Sequence, residues 1–536
     1  MIKTLIRRTS PARPSIHTGS IEERVTVIAR TLNEMLTRSV ERFGDKPAFI
    51  FKGQVTTYAE LEETIERCAA GLAELGIGKG DTFGIVLRNC PEFVILSFAL
   101  SRLGAVAVPV NFLEKADRIA FIFNDAEVKG CLTTRDFLRT IREVKSSVPT
   151  LEHIFLRDPG GDEPALETIY RHPLPETAGP EVAPDDLVLL IYTAGTTGLP
   201  KGVMLTQRNL VSSVESCQLA FDLNDKDRVM CVLPMFHAFA WTTNVLLPLR
   251  LGAMTVVIES LLPLQPALKQ LWKHKVTLVC CIPQVYSALV QHVHGPKAFL
   301  LRLLNPLELA ISGAAPLPAA VQVKFEKTFG TALLEGYGLT EAAPVVSVNP
   351  RYGNHKPGTV GLPLPGVDVK IVDDDERELE TLEIGEVCAR GDNIMAGYYK
   401  RPEETRATFS ADGWLKTGDL GFLDTDGYLT LVDRKKDLII VKGFNVYPQE
   451  VETVLAAHPA VAEAAVIGVP DESGDESVRA FVLLEPEQSV KPRELIGFAR
   501  SSLASYKMPK SVEIVDELPK NALGKVLKRE LRETAV

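Results

Sequence analysis

Residues 192–202 read Tyr192-Thr193-Ala194-Gly195-Thr196-Thr197-Gly198-Leu199-Pro200-Lys201-Gly202. The apolar run at 187–191 just before them has the composition of a buried strand. Glycines, small and hydroxyl residues and one lysine in so short a span make a cradle for a polyphosphate. Glycine lets the backbone approach an anion and turn N–H groups toward it. Hydroxyls add donors, and Lys201 adds a mobile positive charge. The Gly-Lys-Ser/Thr ending of a Walker loop is absent, since Lys201 stands between Pro200 and Gly202. Taken alone, the segment also reads as a flexible turn after a strand.

Further motifs lie downstream. Glu335-Gly336-Tyr337-Gly338-Leu339-Thr340-Glu341 is followed by Thr417-Gly418-Asp419, then Asp433-Arg434-Lys435-Lys436-Asp437, and finally Gly524-Lys525. Their order and spacing resemble the adenylate-forming superfamily: acyl-CoA synthetases, luciferases and the adenylation domains of peptide synthetases. The resemblance runs from about residue 32 to residue 532. The stretches 336–350 (GYGLTEAAPVVSVNP) and 433–448 (DRKKDLIIVKGFNVYP) are most similar to bacterial long-chain fatty-acid–CoA ligases.

Composition agrees with a folded enzyme of more than one domain. A chain of 536 residues is long enough for large buried cores. With 46% hydrophobic and 24% charged residues it falls in the ordinary globular range. A net charge of −10 argues against a nucleic-acid partner. The eight cysteines show no C-x-x-C spacing, which suits buried thiols in a reducing compartment better than disulfides or a zinc site. A cytoplasmic location is expected, with peripheral membrane association left open.

Residues 1–25 read as a mobile basic leader with Lys3, Arg7, Arg8 and Arg13, suited to touch anionic lipid. Pro11 and Pro14 interrupt any targeting helix there. The apolar segment 93–110 is broken by Ser97, Ser101, Arg102 and Gly104. It therefore reads as a buried helix and strand, since a membrane span needs about 20 apolar residues.

Helical and strand patterns alternate from there on. Residues 59–75 carry apolar side chains at helical spacing and end at Gly76. Residues 82–87, a helix opened by Pro91, and residues 105–110 form a βαβ unit. Strands at 229–233, 255–258 and 277–282 continue the series. The predicted fold is α/β with largely parallel sheets. Residues 26–432 make a large N-terminal domain of several subdomains, in which two α/β sheets precede a β-rich part at about 345–432, read as a small antiparallel subdomain or barrel. Residues 433–536 make a small α+β C-terminal domain, with its hinge near 434–436.

The chemistry implied by the resemblance is activation of a carboxylate. Attaching AMP converts a carboxylate oxygen into part of a good leaving group. Catalysis is then mostly positioning and neutralisation of phosphate charge. The loop Thr193, Ala194, Gly195, Thr196, Thr197, Gly198 and Lys201 fits the departing pyrophosphate. Glu341 is the candidate Mg²⁺ ligand, with Thr193 beside the metal, because Mg²⁺ commonly takes one or two carboxylates plus phosphate oxygens and water. Thr340 is placed to donate to the α-phosphate. Asp419 and Arg434 are assigned to the ribose, Tyr337 between Gly336 and Gly338 to the adenine, and Gly313, Ala314 and Ala315 to a second adenine wall. Glu335 opens the same motif. Turn, surface and core roles are the competing readings of these side chains.

His237, in Pro234-Met235-Phe236-His237-Ala238-Phe239-Ala240-Trp241, resembles the residue beside the substrate carboxylate, and Trp241 a gate on an acyl tunnel. Core packing is the alternative for Trp241. Lys442, Gly443 and Phe444 resemble the segment that lines the path of CoA after rotation of the C-terminal domain about Lys436. Lys525 resembles the lysine that serves adenylation. The resemblance thus implies an ATP- and Mg²⁺-dependent fatty-acid–CoA ligase with ATP and CoA as co-substrates. An aryl or short-chain acid ligase, a ligase loading a carrier protein and a catalytically dead nucleotide-binding scaffold are the alternatives. A homodimer is left open.

Overall fold

The computed structural model describes residues 29–535 apart from 161, 175–178, 195–198, 261–263, 293–304, 442–443, 471–475 and 521–523. The basic leader at 1–25, the loop residues Gly195, Thr196, Thr197 and Gly198, and Lys442 and Gly443 therefore lie outside the described residues.

Two large sheets organise the N-terminal part. The strands Thr82–Ile85 and Val106–Pro109 are buried at every position, and so is the helix Pro91–Arg102 between them from Phe93 to Ser101. A parallel sheet covered on both faces needs such near-continuous apolar runs, which is why this segment resembles a membrane span in sequence. No described helix is long and apolar enough to cross a membrane. These two strands pair in parallel, as the βαβ reading requires. They belong to a seven-stranded sheet that continues through Leu187–Ala194 to Pro200–Thr206 and Gly397–Tyr398.

The second sheet has nine strands. Its centre is parallel: Leu333–Gly338, Leu309–Ser312, Leu278–Cys281, Arg228–Cys231 and Met254–Val257 lie side by side. The carboxyl ends of these neighbours therefore emerge together, at the edge where α/β sheets place ligands.

The β-rich part departs from one expectation. Among the described residues it closes no barrel: Val367–Val372, Gly385–Gly391, Leu415–Leu423 and Leu429–Arg434 form an open four-stranded antiparallel sheet. Its apolar side chains Val367, Ile371, Val387, Ala389, Leu415 and Leu429 join the main core. The sheet buries its inner face against the larger body, and so few strands are short of the number that encloses a core. Val345–Val348 joins the nine-stranded sheet instead.

The C-terminal residues fold about a core of their own, including Val446, Val451, Leu455, Val466, Val482 and Leu495. A three-stranded sheet of Val461–Pro470, Glu476–Leu484 and Ser511–Val515 carries it, beside the hairpin Ile439–Val441 and Phe444–Val446.

Candidate active site

The ends of the parallel strands bring several motifs to one place. Leu309–Ser312 runs into Gly313, Ala314 and Ala315, and its neighbour Leu333–Gly338 runs into the short turn Thr340–Ala342. Ala314 adopts φ +68°, an unusual backbone for alanine and a mark of a constrained loop. That loop is pinned from below: the Leu317 N–H donates to Glu335 Oε1 at 2.9 Å. Glu335 is buried, and burial pushes its carboxyl up to about 7. Its side chain thus holds the loop in place. A Cβ at Gly338 would lie 2.1 Å from the Pro344 carbonyl oxygen, so glycine is required there.

Asp419 sits in Leu415–Leu423 with Arg434 as its cross-strand partner. The Tyr337 hydroxyl donates to Asp419 Oδ2 at 2.6 Å, and Arg434 Nε lies 3.1 Å from Oδ1. Tyr337 and Asp419 are buried. Each carboxylate oxygen keeps a second lone pair, so Asp419 can still accept from a sugar hydroxyl.

Lys525 reaches this cluster from the C-terminal part. It keeps contact with solvent, as a residue on a cleft wall does, yet enclosing protein and the Arg434 guanidinium push its ammonium down to about 8. Asp419 opposes that effect. Gly524 adopts φ +74°, a conformation natural to glycine, and its carbonyl accepts from Gln284 Nε2 at 3.3 Å. Gln284 follows the strand Leu278–Cys281, so this contact docks the C-terminal part beside the strand ends. Lys436 lies in the short turn Lys435–Asp437, and burial together with Arg434 lowers its pKa. Asp437 in the same turn accepts from Arg532 at 2.8 Å.

Thr193 and Lys201 face each other in register across the hairpin of Leu187–Ala194 and Pro200–Thr206. Sequence patterning gave no second strand after the loop; the structure places one at Pro200–Thr206. Glu341 is half-buried, and its turn is held by Asn393, whose Nδ2 donates to the Ala342 and Val345 carbonyls. The Tyr398 hydroxyl donates to Glu341 Oε1 at 2.9 Å. No group of three or more His, Cys, Asp or Glu ligands occurs among the described residues. A lone carboxylate beside a phosphate loop fits Mg²⁺ carried on a polyphosphate, which draws its other ligands from phosphate and water.

His237 caps a short helix: the Phe239 N–H donates to Nδ1 at 3.3 Å. Burial pushes its imidazole down to about 4, so the ring is neutral at pH 7 with its proton on Nε2. Neutral Nε2–H is a donor suited to a carboxylate oxygen. Phe239 packs against Gly313, where an added Cβ would come 3.3 Å from its ring. Trp241 is buried between Phe93 and Phe98, with ring centroids at 5.6 and 6.5 Å, and begins the π-helix Trp241–Leu246. Its indole N–H has no partner among the described residues. Phe444 is 57% exposed and lies against Tyr506, 4.9 Å between centroids.

Tyr398, Asn393, Gln284 and Glu404 were not legible as site residues. The charged run 400–406 around Glu404 and the glycines near Asn393 and Tyr398 form no motif of the sequence reading, and it is strand pairing that brings Tyr398 beside Pro200–Thr206.

Comparison with known proteins shows the family. The family model described as AMP-binding enzyme matches residues 36–399, and that for the AMP-binding enzyme C-terminal domain matches 450–525. A long-chain-fatty-acid–CoA ligase of Escherichia coli O157:H7 is 36% identical over 538 residues, covering 94% of this chain and 95% of that protein. 4-Coumarate–CoA ligase 3 of Oryza sativa subsp. japonica is 34% identical, covering 94% and 92%. The crystal structure of ATP-bound MatB from Rhodopseudomonas palustris superposes with a TM-score of 0.86 at 31% identity, covering 94% of this chain and 99% of that one.

Proposed function

The chain belongs to the AMP-binding enzyme family, and on that premise we propose that it is a fatty-acid–CoA ligase dependent on ATP and Mg²⁺. Carboxylate and ATP give acyl-AMP and pyrophosphate, and the CoA thiol then displaces AMP to give the thioester. In the first step the carboxylate oxygen bonds to the α-phosphorus as the bond to the departing pyrophosphate breaks. Asp419 and Arg434 hold the ribose, Tyr337 and the 313–315 loop flank the adenine, and Thr340 donates to the α-phosphate. The Lys525 ammonium stabilises charge at the reacting oxygens. His237 Nε2–H orients the carboxylate. Glu341 would hold Mg²⁺, which when bound neutralises phosphate charge.

The choice of fatty acid is carried by the 36% identity to long-chain-fatty-acid–CoA ligases over 94% of the chain, and an apolar cavity is in keeping with it. An apolar cavity of ≈ 30 Å³ lies beside the helix Pro283–His292 that bears Gln284, walled by Met230, Leu271, Val279, Val285 and Phe329. The Tyr286 hydroxyl beside it is turned to the Val279 and Ile311 carbonyls. Val285 directly follows Gln284, so this wall begins next to the docked Lys525 segment. Such a lining favours hydrocarbon, and at about the volume of one water it takes a tail only where its walls move apart. Trp241 stands on the other face of the sheet: Thr243 of its helix faces the Cys280 thiol, whereas Val279, the next residue of the strand, faces the cavity.

The test is a panel of acids from butyrate to stearate with cinnamate and benzoate, read as acyl-CoA formation for the parent protein and Ala267→Phe. Ala267 lines the cavity. A long-chain optimum that shortens in the variant is expected. A preference for cinnamate or benzoate assigns an aryl-acid ligase instead, and acyl-AMP without CoA turnover assigns transfer to a carrier protein.

A further inference from the structure

Lys201 of the phosphate loop and Glu341 of the downstream motif are joined by a side chain that belongs to neither. Gly397–Tyr398 pairs antiparallel with Pro200–Thr206, Tyr398 opposite Val203. The Tyr399 N–H donates to the Gly202 carbonyl and the Met395 N–H to the Glu341 carbonyl. This backbone lacing sets Tyr398 between the two groups. Its hydroxyl donates to Glu341 Oε1 at 2.9 Å, and Lys201 Nζ stands 5.2 Å from the centre of its ring. The Lys201 ammonium is at the same time ion-paired with Glu404.

We propose that Glu404 is an internal counter-ion that holds the Lys201 ammonium until a nucleotide polyphosphate replaces it, and that Tyr398 is a positioning residue for Lys201 and Glu341. The proposal rests on the ATP-dependent reading above and adds to it how the phosphate site is kept ready. Glu404 suits an exchange. It stands in the first turn of Pro402–Thr408, where a carboxylate is favoured by the helix N-terminus. Arg401 Nε lies 3.8 Å from its other oxygen, so Glu404 keeps a cation when Lys201 leaves. Arg401 is itself fixed by Asp125 at 2.9 Å, and Asp125 also accepts from the Tyr192 hydroxyl at 2.6 Å. With side-chain exposures of 16% for Lys201 and 35% for Glu404, the pair is open enough for an entering anion to reach.

The experiment uses the full chain and reads pyrophosphate release against ATP and Mg²⁺ concentration, with ATP binding followed by calorimetry. In Glu404→Gln the competing anion is gone, so KM and Kd for ATP fall about threefold to fivefold, the scale of a partly exposed ion pair. The same change made in Lys201→Gln has no effect on ATP affinity. Tyr398→Phe raises the Mg²⁺ concentration for half-maximal rate and lowers kcat while KM for ATP changes little. An unchanged or raised KM for ATP in Glu404→Gln overturns the counter-ion role. A Tyr398→Phe protein that only melts earlier, with its Mg²⁺ requirement intact, overturns the positioning role. Absence of pyrophosphate release from the parent protein with every acid defeats the ligase reading instead, and calorimetric ATP binding still decides the Glu404 exchange.

Discussion

Tyr337 and Asp419 bridge two sheets: the tyrosine hydroxyl at the end of the nine-stranded sheet donates to the carboxylate of the four-stranded one at 2.6 Å. Burial and the neighbouring Asp419 raise the phenol far above its ordinary range, so it stays a donor at every working pH. The bridge fixes the position of Asp419 relative to the strand ends, and with it, on the proposed reading, that of the nucleoside.

Tyr337→Phe leaves a buried carboxylate oxygen short of its donor. The expected loss is about 1–3 kcal/mol of stability, measured by urea denaturation, with a higher KM for ATP. Unaltered stability together with unaltered KM contradicts the bridging role.

Lys525 gives a pH prediction. Its ammonium, held near 8, serves adenylation on the proposed reading, so kcat/KM for ATP in acyl-AMP formation should decline above about pH 8. Lys525→Arg keeps its charge and should move that decline upward. Lys525→Ala should make acyl-AMP poorly yet still convert supplied acyl-AMP and CoA to acyl-CoA. Equal slowing of both half-reactions refutes the assignment of Lys525 to the first.

Buried Glu335 predicts a stability slope. With its folded pKa raised from the ordinary 4.5 to about 7, the folded chain holds more protons than the unfolded chain between those values. Stability therefore falls as pH rises through that window. Glu335→Gln removes the titration while its amide oxygen can still accept from Leu317. Relative to the parent, the variant should gain up to about 3 kcal/mol between pH 4.5 and pH 7. Parallel stability curves for the two proteins would falsify it.

Trp241 is packed by Phe93 and Phe98, so Trp241→Ala should cost about 3–5 kcal/mol. A tunnel gate would behave differently: the melting temperature would hold and the chain-length profile would shift. Melting curves run beside the acid panel separate the two.

Much of this site was legible because its chemistry is local in sequence. The glycine-rich loop follows a strand that the apolar run 187–191 already locates, whereas the Tyr337-to-Glu341 run and Asp419 were legible as motifs and the strands that carry them, Leu333–Gly338 and Leu415–Leu423, were not. The helix at 59–75 was readable from its apolar spacing and Gly76, and the structure adds a reciprocal cap of Thr57 and Glu60 at its start. What escaped depends on pairing between distant segments. Nothing around Tyr398 shows that it will lie against Val203, and nothing in 345–432 shows that the inner face of its sheet will merge with the main core. Burial of that face left the strands no reason to curl into a barrel.

The return of the phosphate loop along a strand, Thr193 opposite Lys201, has a bearing on product departure. A loop that feeds a helix sets a permanent half-charge against its anion. Neighbouring strands cancel one another's dipoles, so this hairpin supplies no such standing field. Beside the backbone N–H groups and hydroxyls that its sequence offers a polyanion, the charge comes from Lys201, whose ammonium is mobile and screened by electrolyte. On the proposed ligase reading, the off-rate of pyrophosphate should therefore rise with ionic strength.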